Sequence, residues 1–265
     1  MRETLLALAG RSPAGFTDIR YHRRRGIRLE RHGREAGAPI PTEDSGGLVR
    51  CTSPGAGWGI ASFRDPGEAG AAVALAHELS LLAPAAAAGQ LTEVPARDGE
   101  FPCPAQRDPA QVSMAAKEDL LALAAAALHD ADRRIVASRL VYQDLLEDTW
   151  LVTSEGTSLA ESRPRMELSA LAIAEEEGTR ERALDSIAVA GAWFDLEEWI
   201  GRIGHLAEKA VLLLRAVPVR PGRVPVVLDP LAAGLLAHRC AGHLCHGDRD
   251  EDQGPAPVGL RVGPP

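Results

Sequence analysis

Short turns join the strand-like segments in the middle of this chain, and such connections restrict the fold to antiparallel pairing. Apolar and polar residues alternate along four segments, which we predict as strands over residues 134–146, 149–153, 166–175 and 183–190. A parallel pair needs a crossover of about a dozen residues or more, and most of these connections are shorter. The middle of the chain is therefore predicted to form a mostly antiparallel sheet.

Helical segments flank the predicted sheet at both of its ends in the chain. A helix over residues 114–129 follows Ser113, a natural N-cap, and a second helix over residues 195–215 has an apolar stripe at helical spacing. The segment before the first helix, residues 91–111, is rich in proline and charge and indicates a linker. We therefore predict a central domain over residues 112–216.

We predict an N-terminal domain over residues 1–105, which includes the first part of the linker. Helical segments begin and end it, and strand-like alternation occupies residues 18–35 and 48–63. The basic run Arg23-Arg24-Arg25 lies in the first of these, where an exposed strand face is a better interpretation than a phosphate site. With residues 217–265 as an incomplete C-terminal domain, the predicted fold class is α+β: an N-terminal α/β domain, then a mostly antiparallel central sheet with flanking helices.

Composition and charge exclude several classes of partner. The formal net charge is −8 and the isoelectric point is about 5.5, which argues against nucleic acid as a partner. No stretch approaches the roughly 18 consecutive apolar residues of a membrane helix, and the N-terminus lacks the apolar core of a signal peptide. Four cysteines in a chain of 265 residues do not form a disulfide scaffold. We therefore expect a cytoplasmic protein that binds neither nucleic acid nor membrane.

Potential metal ligands are concentrated in residues 238–248. A strand-like apolar run over residues 224–228 ends at Asp229-Pro230, and a segment of helical character over residues 231–237 leads into the cluster. Three histidines, two cysteines and an aspartate then follow: His238, Cys240, His243, Cys245, His246 and Asp248. The predicted order is strand, turn and ligand-bearing helix.

Four separated motifs resemble those of the TldD/PmbA metalloproteases and keep the same order along the chain. Residues 46–50 and 57–63 are similar to the N-terminal signature of that family, and residues 154–157 are similar to its central one. Residues 207–223 resemble its lead into the catalytic segment. Residues 225–248 resemble the segment in which a strand leads into a helix carrying H-E-x-x-x-H, followed by an acidic pair. The resemblance implies a zinc peptidase that works as a dimer, with itself or with a related protein, on unfolded or modified peptides.

The resemblance assigns the metal to His238 and His243, and it places Arg239 where the family has its general-base glutamate. A guanidinium stays protonated and cannot accept a proton from zinc-bound water. A cation held about 5 Å from a divalent metal would also cost roughly 6 kcal/mol at an effective dielectric of ~20. We therefore expect hydrolysis to be lost or severely impaired.

The end of the sequence also departs from the family pattern. Family members continue into a β-rich C-terminal domain that supplies a cysteine ligand and the walls of the cleft, whereas this sequence ends at Pro265. We expect a truncated or naturally shortened member. The alternative is a non-catalytic partner or scaffold subunit of a hetero-oligomeric TldD/PmbA-type protease, and a third hypothesis is a poorly soluble pseudogene product or a misassigned reading frame.

The spacing of the two histidines leaves the ligand set open. His238 and His243 are five residues apart, which on an ideal α-helix separates them by about 140° around the axis. Gly242 could let the helix unwind and bring the two rings toward one point. A rearranged site could use His238 and His243 together with His246 or Cys245, and a degenerate helix end with solvent-facing histidines is the simplest alternative.

Overall fold

The computed structural model describes residues 1–84, 94–103, 108–191, 193 and 196–242. The chain divides into two units, Met1–Ala216 and Val217–Pro265. The first unit holds a single sheet with helices packed on it, and the second holds a short helix that begins after Asp229.

Eight strands form the sheet within the described residues: β1 (Phe16–His32), β2 (Glu35–Ala36), β3 (Ile40–Thr52), β4 (Gly59–Phe63), β5 (Asp98–Pro102), β6 (Ile135–Thr153), β7 (Ser158–Glu176) and β8 (Thr179–Ala190). They lie in the order β4-β3-β1-β6-β7, and β2 pairs with the end of β1. β7 then pairs in parallel with β5 and antiparallel with β8, at different parts of its length. The other strand pairs are antiparallel. The predicted α+β class with a mostly antiparallel sheet is therefore confirmed.

Helices of the first unit cover this sheet in two groups: α1 (Arg2–Gly10) with α2 (Ala69–Leu82), and α3 (Met114–Ala131) with α4 (Leu196–Leu213). Alternate residues of β1 reach both cores, since Ile19 and Tyr21 pack with α1 and α2, and Leu29 packs with α3 and α4. The second core contains Tyr142 and Trp199, both fully buried. No helix in the described ranges is long and apolar enough to cross a membrane.

Local signals place the helix ends well. Ser113 is the N-cap of α3 as predicted, and its hydroxyl accepts a hydrogen bond from the backbone N–H of Ala116 at 3.3 Å. The helix predicted over residues 195–215 is α4, and the helical segment predicted to begin the N-terminal domain is α1. These agreements rest on periodicity and capping, which act between residues close in the chain.

A buried ion pair joins α3 to the sheet. Lys117 and Asp144 have only 5% and 7% of their side chains exposed, and the Lys117 ammonium contacts the Asp144 carboxylate. Asp144 also accepts hydrogen bonds from the Tyr142 hydroxyl at 2.8 Å and from the backbone N–H of Ile27 at 3.0 Å. Both carboxylate oxygens thus have donors, which is the condition for keeping a charge inside a core.

Strand boundaries differ from the predictions, most clearly at β7, which begins at Ser158 and not at residue 166, and in three further segments. The segments predicted over residues 134–146 and 149–153 form one continuous strand, β6, because β1 and β7 pair with it on both sides. The predicted linker contains β5, which is held by backbone pairing with β7. The strand predicted over residues 224–228 is wrong: that segment is irregular and exposed, and no strand among the described residues pairs with it. The predicted order of strand, turn and helix therefore loses its first element.

The predicted ranges 1–105 and 112–216 contribute strands to the same sheet. β1 lies between β3, from the first range, and β6, from the second. Hydrogen bonds run along nearly the whole length of both pairs. The division of the chain into domains over these ranges stays a prediction, but the two ranges share one continuous layer in the structure.

Candidate functional site

The helix that precedes the histidine cluster has a well-defined start. Asp229 has an extended backbone, and its carboxylate accepts a hydrogen bond from the backbone N–H of Ala232 at 2.7 Å. Pro230 occupies the first turn, where its missing N–H has no helical partner to lose. The helix, α5 (Pro230–Ala237), therefore begins where the Asp-Pro pair predicts, and the helical character predicted over residues 231–237 is confirmed.

The chain leaves α-helical geometry at the first histidine. His238–Gly242 forms a π-helical turn, in which residue i is bonded to residue i+5. Such a turn brings residues five apart toward the same side, whereas an α-helix separates them. Gly242 lies against the His238 ring, since a Cβ built there would be 3.1 Å from Nδ1. Over residues 238–242 the chain is thus unwound from α-helical geometry, with a glycine at the close approach to the His238 ring.

The described part of the histidine cluster does not complete a metal site. His238, Arg239 and Cys240 are exposed, while His243, Cys245, His246 and Asp248 lie outside the described residues. Within the described ranges, no three His, Cys, Asp or Glu side chains come together as a metal site would require. Because a catalytic zinc usually takes three protein ligands, one imidazole and one thiol are too few for a site. The assignments of His238, Arg239 and His243 stay predictions.

The first unit contains a pocket on the face of the sheet opposite its two cores. Its volume is about 510 Å³, and its floor follows two rows of side chains across neighbouring strands. In the first row Asp18 lies between Arg50 and Thr153. In the second row Arg20 lies beside Leu151, which lies beside Leu159. Alternation along β1 therefore places Asp18 and Arg20 on this face, while Ile19 and Tyr21 enter the core.

Aromatic and charged groups meet at one wall of this pocket. The Trp58 and Phe16 rings pack edge to face with centroids 6.1 Å apart. The Arg50 guanidinium lies 5.5 Å from the Trp58 ring centroid and donates to Asp18 Oδ2 from Nε at 2.9 Å and from Nη2 at 2.5 Å. Asp18 is buried, so this pair holds both the arginine and the indole in place.

The hairpin tip that resembles the central family motif lies at the rim of the same pocket. Ser154 accepts a hydrogen bond from the backbone N–H of Thr17 at 3.0 Å, and Gly156 turns the chain with φ +95°. Glu155 and Thr157 line the pocket. The N-terminal signature, through Arg50 and Trp58, and the central motif over residues 154–157 thus contribute to one cavity, which their separation in the chain does not reveal.

The basic run on β1 is paired with two acidic residues of β6. Arg23 and Arg25 both donate to Asp148 Oδ2, at 2.8 and 3.3 Å, and Arg24 lies 3.2 Å from Glu147. Burial alone would raise the pKa of Asp148, but hydrogen bonds from Arg23 and its other donors outweigh burial and hold the pKa below its ordinary value. The preference for a strand face over a phosphate site is supported, because these cations already have partners.

The pocket residues were missing from the sequence-based site predictions. Asp18 and Arg20 alternate with the apolar residues of β1, and Trp58 lies inside a motif that was assigned on resemblance alone. Alternation shows that such residues share a face, but it does not show which strands lie beside it. The pairing of β1 with both β3 and β6 is what assembles the cavity.

Comparisons with known proteins agree on one family. The family described as the PmbA/TldA metallopeptidase central domain matches residues 107–215. The chain is 28% identical to a metalloprotease of Synechocystis (slr0863) over 94% of this chain and 54% of the relative, and 29% identical to a TldD homolog metalloprotease of Haemophilus influenzae over 50% and 29%. The crystal structure of TldE from Thermococcus kodakarensis superposes with a TM-score of 0.71 at 16% identity, over 98% of this chain and 58% of that one. The chain thus spans about half, or less, of the length of these relatives.

Proposed function

Since this chain belongs to the TldD/PmbA family, we propose that it is a metallopeptidase-type protein directed at peptides, whose own hydrolysis is lost or severely impaired. The match over residues 107–215 supports assigning residues 112–216 to the central domain of that family. Residues 1–105 would be the N-terminal domain, and residues 217–265 the start of the metalloprotease domain. Cytoplasmic action on unfolded or modified peptides belongs to the same proposal.

The observation that carries this proposal is the arginine beside the first histidine. His238 and His243 would hold the zinc of the family, and the π-helical turn between them supports their convergence. When bound, zinc polarises the peptide carbonyl and acidifies water. Arg239 occupies the position of the general base, yet its guanidinium has no lone pair to accept a proton. Its positive charge also opposes a divalent ion, although exposure to solvent screens that effect.

The proposal is tested by measuring zinc affinity and peptide cleavage for the wild-type chain and for variants that change the charge at residue 239. We expect the wild-type chain to show no chelator-sensitive cleavage of an unstructured peptide. Arg239→Gln and Arg239→Glu remove and reverse the charge, and zinc affinity should rise by about tenfold per unit of charge, as expected for about 1–2 kcal/mol at an exposed position. Arg220→Gln, which removes an exposed arginine elsewhere in the second unit, is the matched control and should leave zinc affinity unchanged.

Two outcomes would contradict the proposal. Robust chelator-sensitive turnover by the wild-type chain would show that Arg239 does not prevent catalysis. Equal zinc affinities for Arg239→Glu and the Arg220→Gln control would show that residue 239 does not face the metal. His238→Ala should abolish zinc binding in every background, and this variant separates the proposed site from adventitious zinc bound by other side chains.

A second candidate function is that of a non-catalytic partner subunit in a hetero-oligomeric protease of the same family. Apolar side chains of the second unit favour it, because Val219 and Val227 are 89% and 98% exposed and could be buried against a partner protein. Co-purification with a full-length relative that has an intact H-E-x-x-x-H motif would support this function. A monodisperse homo-oligomer with stoichiometric zinc would count against it.

A further inference from the structure

The pocket on the outer face of the sheet has the size and lining of a ligand site. Its volume of about 510 Å³ falls within the range of roughly 300–1,000 Å³ that is usual for small-ligand pockets. It is formed entirely by residues of the first unit, at a distance in sequence from the histidine cluster. The pocket is separate from both cores, because Asp18 and Arg20 lie on the opposite face of β1 from the core residues Ile19 and Tyr21.

One wall of this pocket and the part of its floor on β6 and β7 that contains Leu151 and Leu159 are apolar. Leu151 and Leu159 lie side by side on β6 and β7, and the Trp58 ring with its edge-to-face partner Phe16 forms the wall. Trp58 is held in place because Arg50 lies over its ring and is itself bound to the buried Asp18. A rigid aromatic wall over an aliphatic floor accommodates a flat or branched apolar side chain.

The polar part of the pocket favours a negative ligand. Its lining contains three guanidinium groups and two carboxylates, and Asp18 is already paired with Arg50. Arg20 is exposed on β1, and Arg97 faces the cavity from the segment before β5. Among the described residues, neither of these two side chains has a carboxylate partner. The pocket thus has a local excess of positive charge in a protein with a net charge of −8, and this excess favours an anion.

We infer that this pocket binds the C-terminal residue of a peptide, with its carboxylate on Arg20 and its apolar side chain against Trp58 and Leu151. The inference rests on the proposed function only in taking a peptide as the ligand. Arginine binds a carboxylate through two parallel hydrogen bonds, which gives direction as well as affinity. Arg20, which has no carboxylate partner among the described residues, together with the aromatic wall therefore selects a free carboxyl terminus on an aromatic or aliphatic residue.

Matched peptides test this inference without metal and without cleavage. Binding to the full chain is measured by calorimetry for Ala-Ala-Ala-Phe with a free carboxylate, for the same peptide as its C-terminal amide, and for N-acetyl-phenylalanine. We expect the acid to bind at least tenfold more tightly than the amide, because the amide loses a charge-assisted contact. The tetrapeptide acid should bind at least as tightly as N-acetyl-phenylalanine if the pocket accepts the chain that precedes the terminal residue.

Arg20→Gln tests the assigned contact, and Arg182→Gln is its control because Arg182 is also an exposed strand arginine in the same sheet. Arg20→Gln should abolish the preference for acid over amide, while Arg182→Gln should retain it. Circular dichroism shows whether each variant is folded. The preference in the wild-type chain tests the inference even if a variant does not fold.

Three results would overturn the inference. Equal affinity for acid and amide would show that the pocket does not recognise the carboxylate. The absence of binding at millimolar peptide would show that the pocket is not a peptide site. A tetrapeptide acid that binds tenfold more weakly than N-acetyl-phenylalanine would identify a site for small carboxylic acids rather than for peptide ends. Each result is independent of zinc affinity and of residue 239, so failure here and failure of the proposed hydrolytic defect are distinguishable.

Discussion

Replacing Lys117 with methionine should destabilise the protein far more than an ordinary helix substitution. Lys117 and Asp144 lie inside the second core with 5% and 7% of their side chains exposed. Methionine keeps most of the volume of lysine but removes its charge, and this leaves the Asp144 carboxylate with the Tyr142 hydroxyl and the Ile27 N–H as its donors. Removing one partner of a buried ion pair costs about 3–5 kcal/mol, because the other charge is left uncompensated.

Urea unfolding monitored by circular dichroism measures this loss. The free energy of unfolding of Lys117→Met should fall by about 3–5 kcal/mol with an unchanged m-value. Lys209, the other lysine of the chain, is exposed on α4, and Lys209→Met should change the free energy by less than about 0.5 kcal/mol. The double variant Lys117→Met, Asp144→Asn should lose less than the sum of its two single variants, by about 1–3 kcal/mol.

A loss of less than about 1 kcal/mol for Lys117→Met would refute the reasoning. It would show either that water reaches Asp144 or that the carboxylate is neutral in the folded protein. Strict additivity in the double variant would also refute it, because two groups in direct contact must be energetically coupled. The exposed lysine controls for loss of charge, so a small effect of Lys117→Met could not be attributed to the net charge of the chain.

Two further stability predictions follow from close contacts on β1. A Cβ on Gly26 would lie 2.0 Å from the carbonyl oxygen of Asp144, so Gly26→Ala should lower the free energy of unfolding by about 1–3 kcal/mol, whereas Gly10→Ala, where no atom lies within 4 Å, should not. Hydrogen bonds from Arg28, and to a smaller extent from Arg139, lower the pKa of Glu30 from 4.5 to about 2. The ionised Glu30 therefore contributes fully to the free energy of unfolding above pH 4.5, and this contribution is lost as the pH falls toward 2. Stability measured between pH 5 and 2.5 should therefore fall less steeply in Glu30→Gln than in the wild-type protein, and parallel curves would contradict the assignment.

Local interactions made much of the fold predictable. The start of α3 follows from Ser113, the start of α5 follows from Asp229-Pro230, and the alternation along residues 166–175 and 183–190 appears as β7 and β8. These features depend on residues only a few positions apart, so they can be predicted without knowledge of the fold. The apolar run over residues 224–228 has the same local signal as a strand but forms none, because a strand also needs a neighbour to hydrogen-bond with.

The two candidate sites differ in the same way: one could be recognised from consecutive residues, and the other depends on how the strands pair. The histidine cluster with Arg239 in the place of the general base is a property of the sequence alone, since its members are consecutive and their chemistry does not depend on packing. The pocket of Asp18, Arg20, Arg50 and Trp58 and the burial of Lys117 against Asp144 were decided by tertiary structure. Each joins residues from strands or helices far apart in the chain, and only the pairing of β1 with both β3 and β6 brings those elements together. Propensity and capping act over a few residues, whereas register and burial depend on the whole sheet.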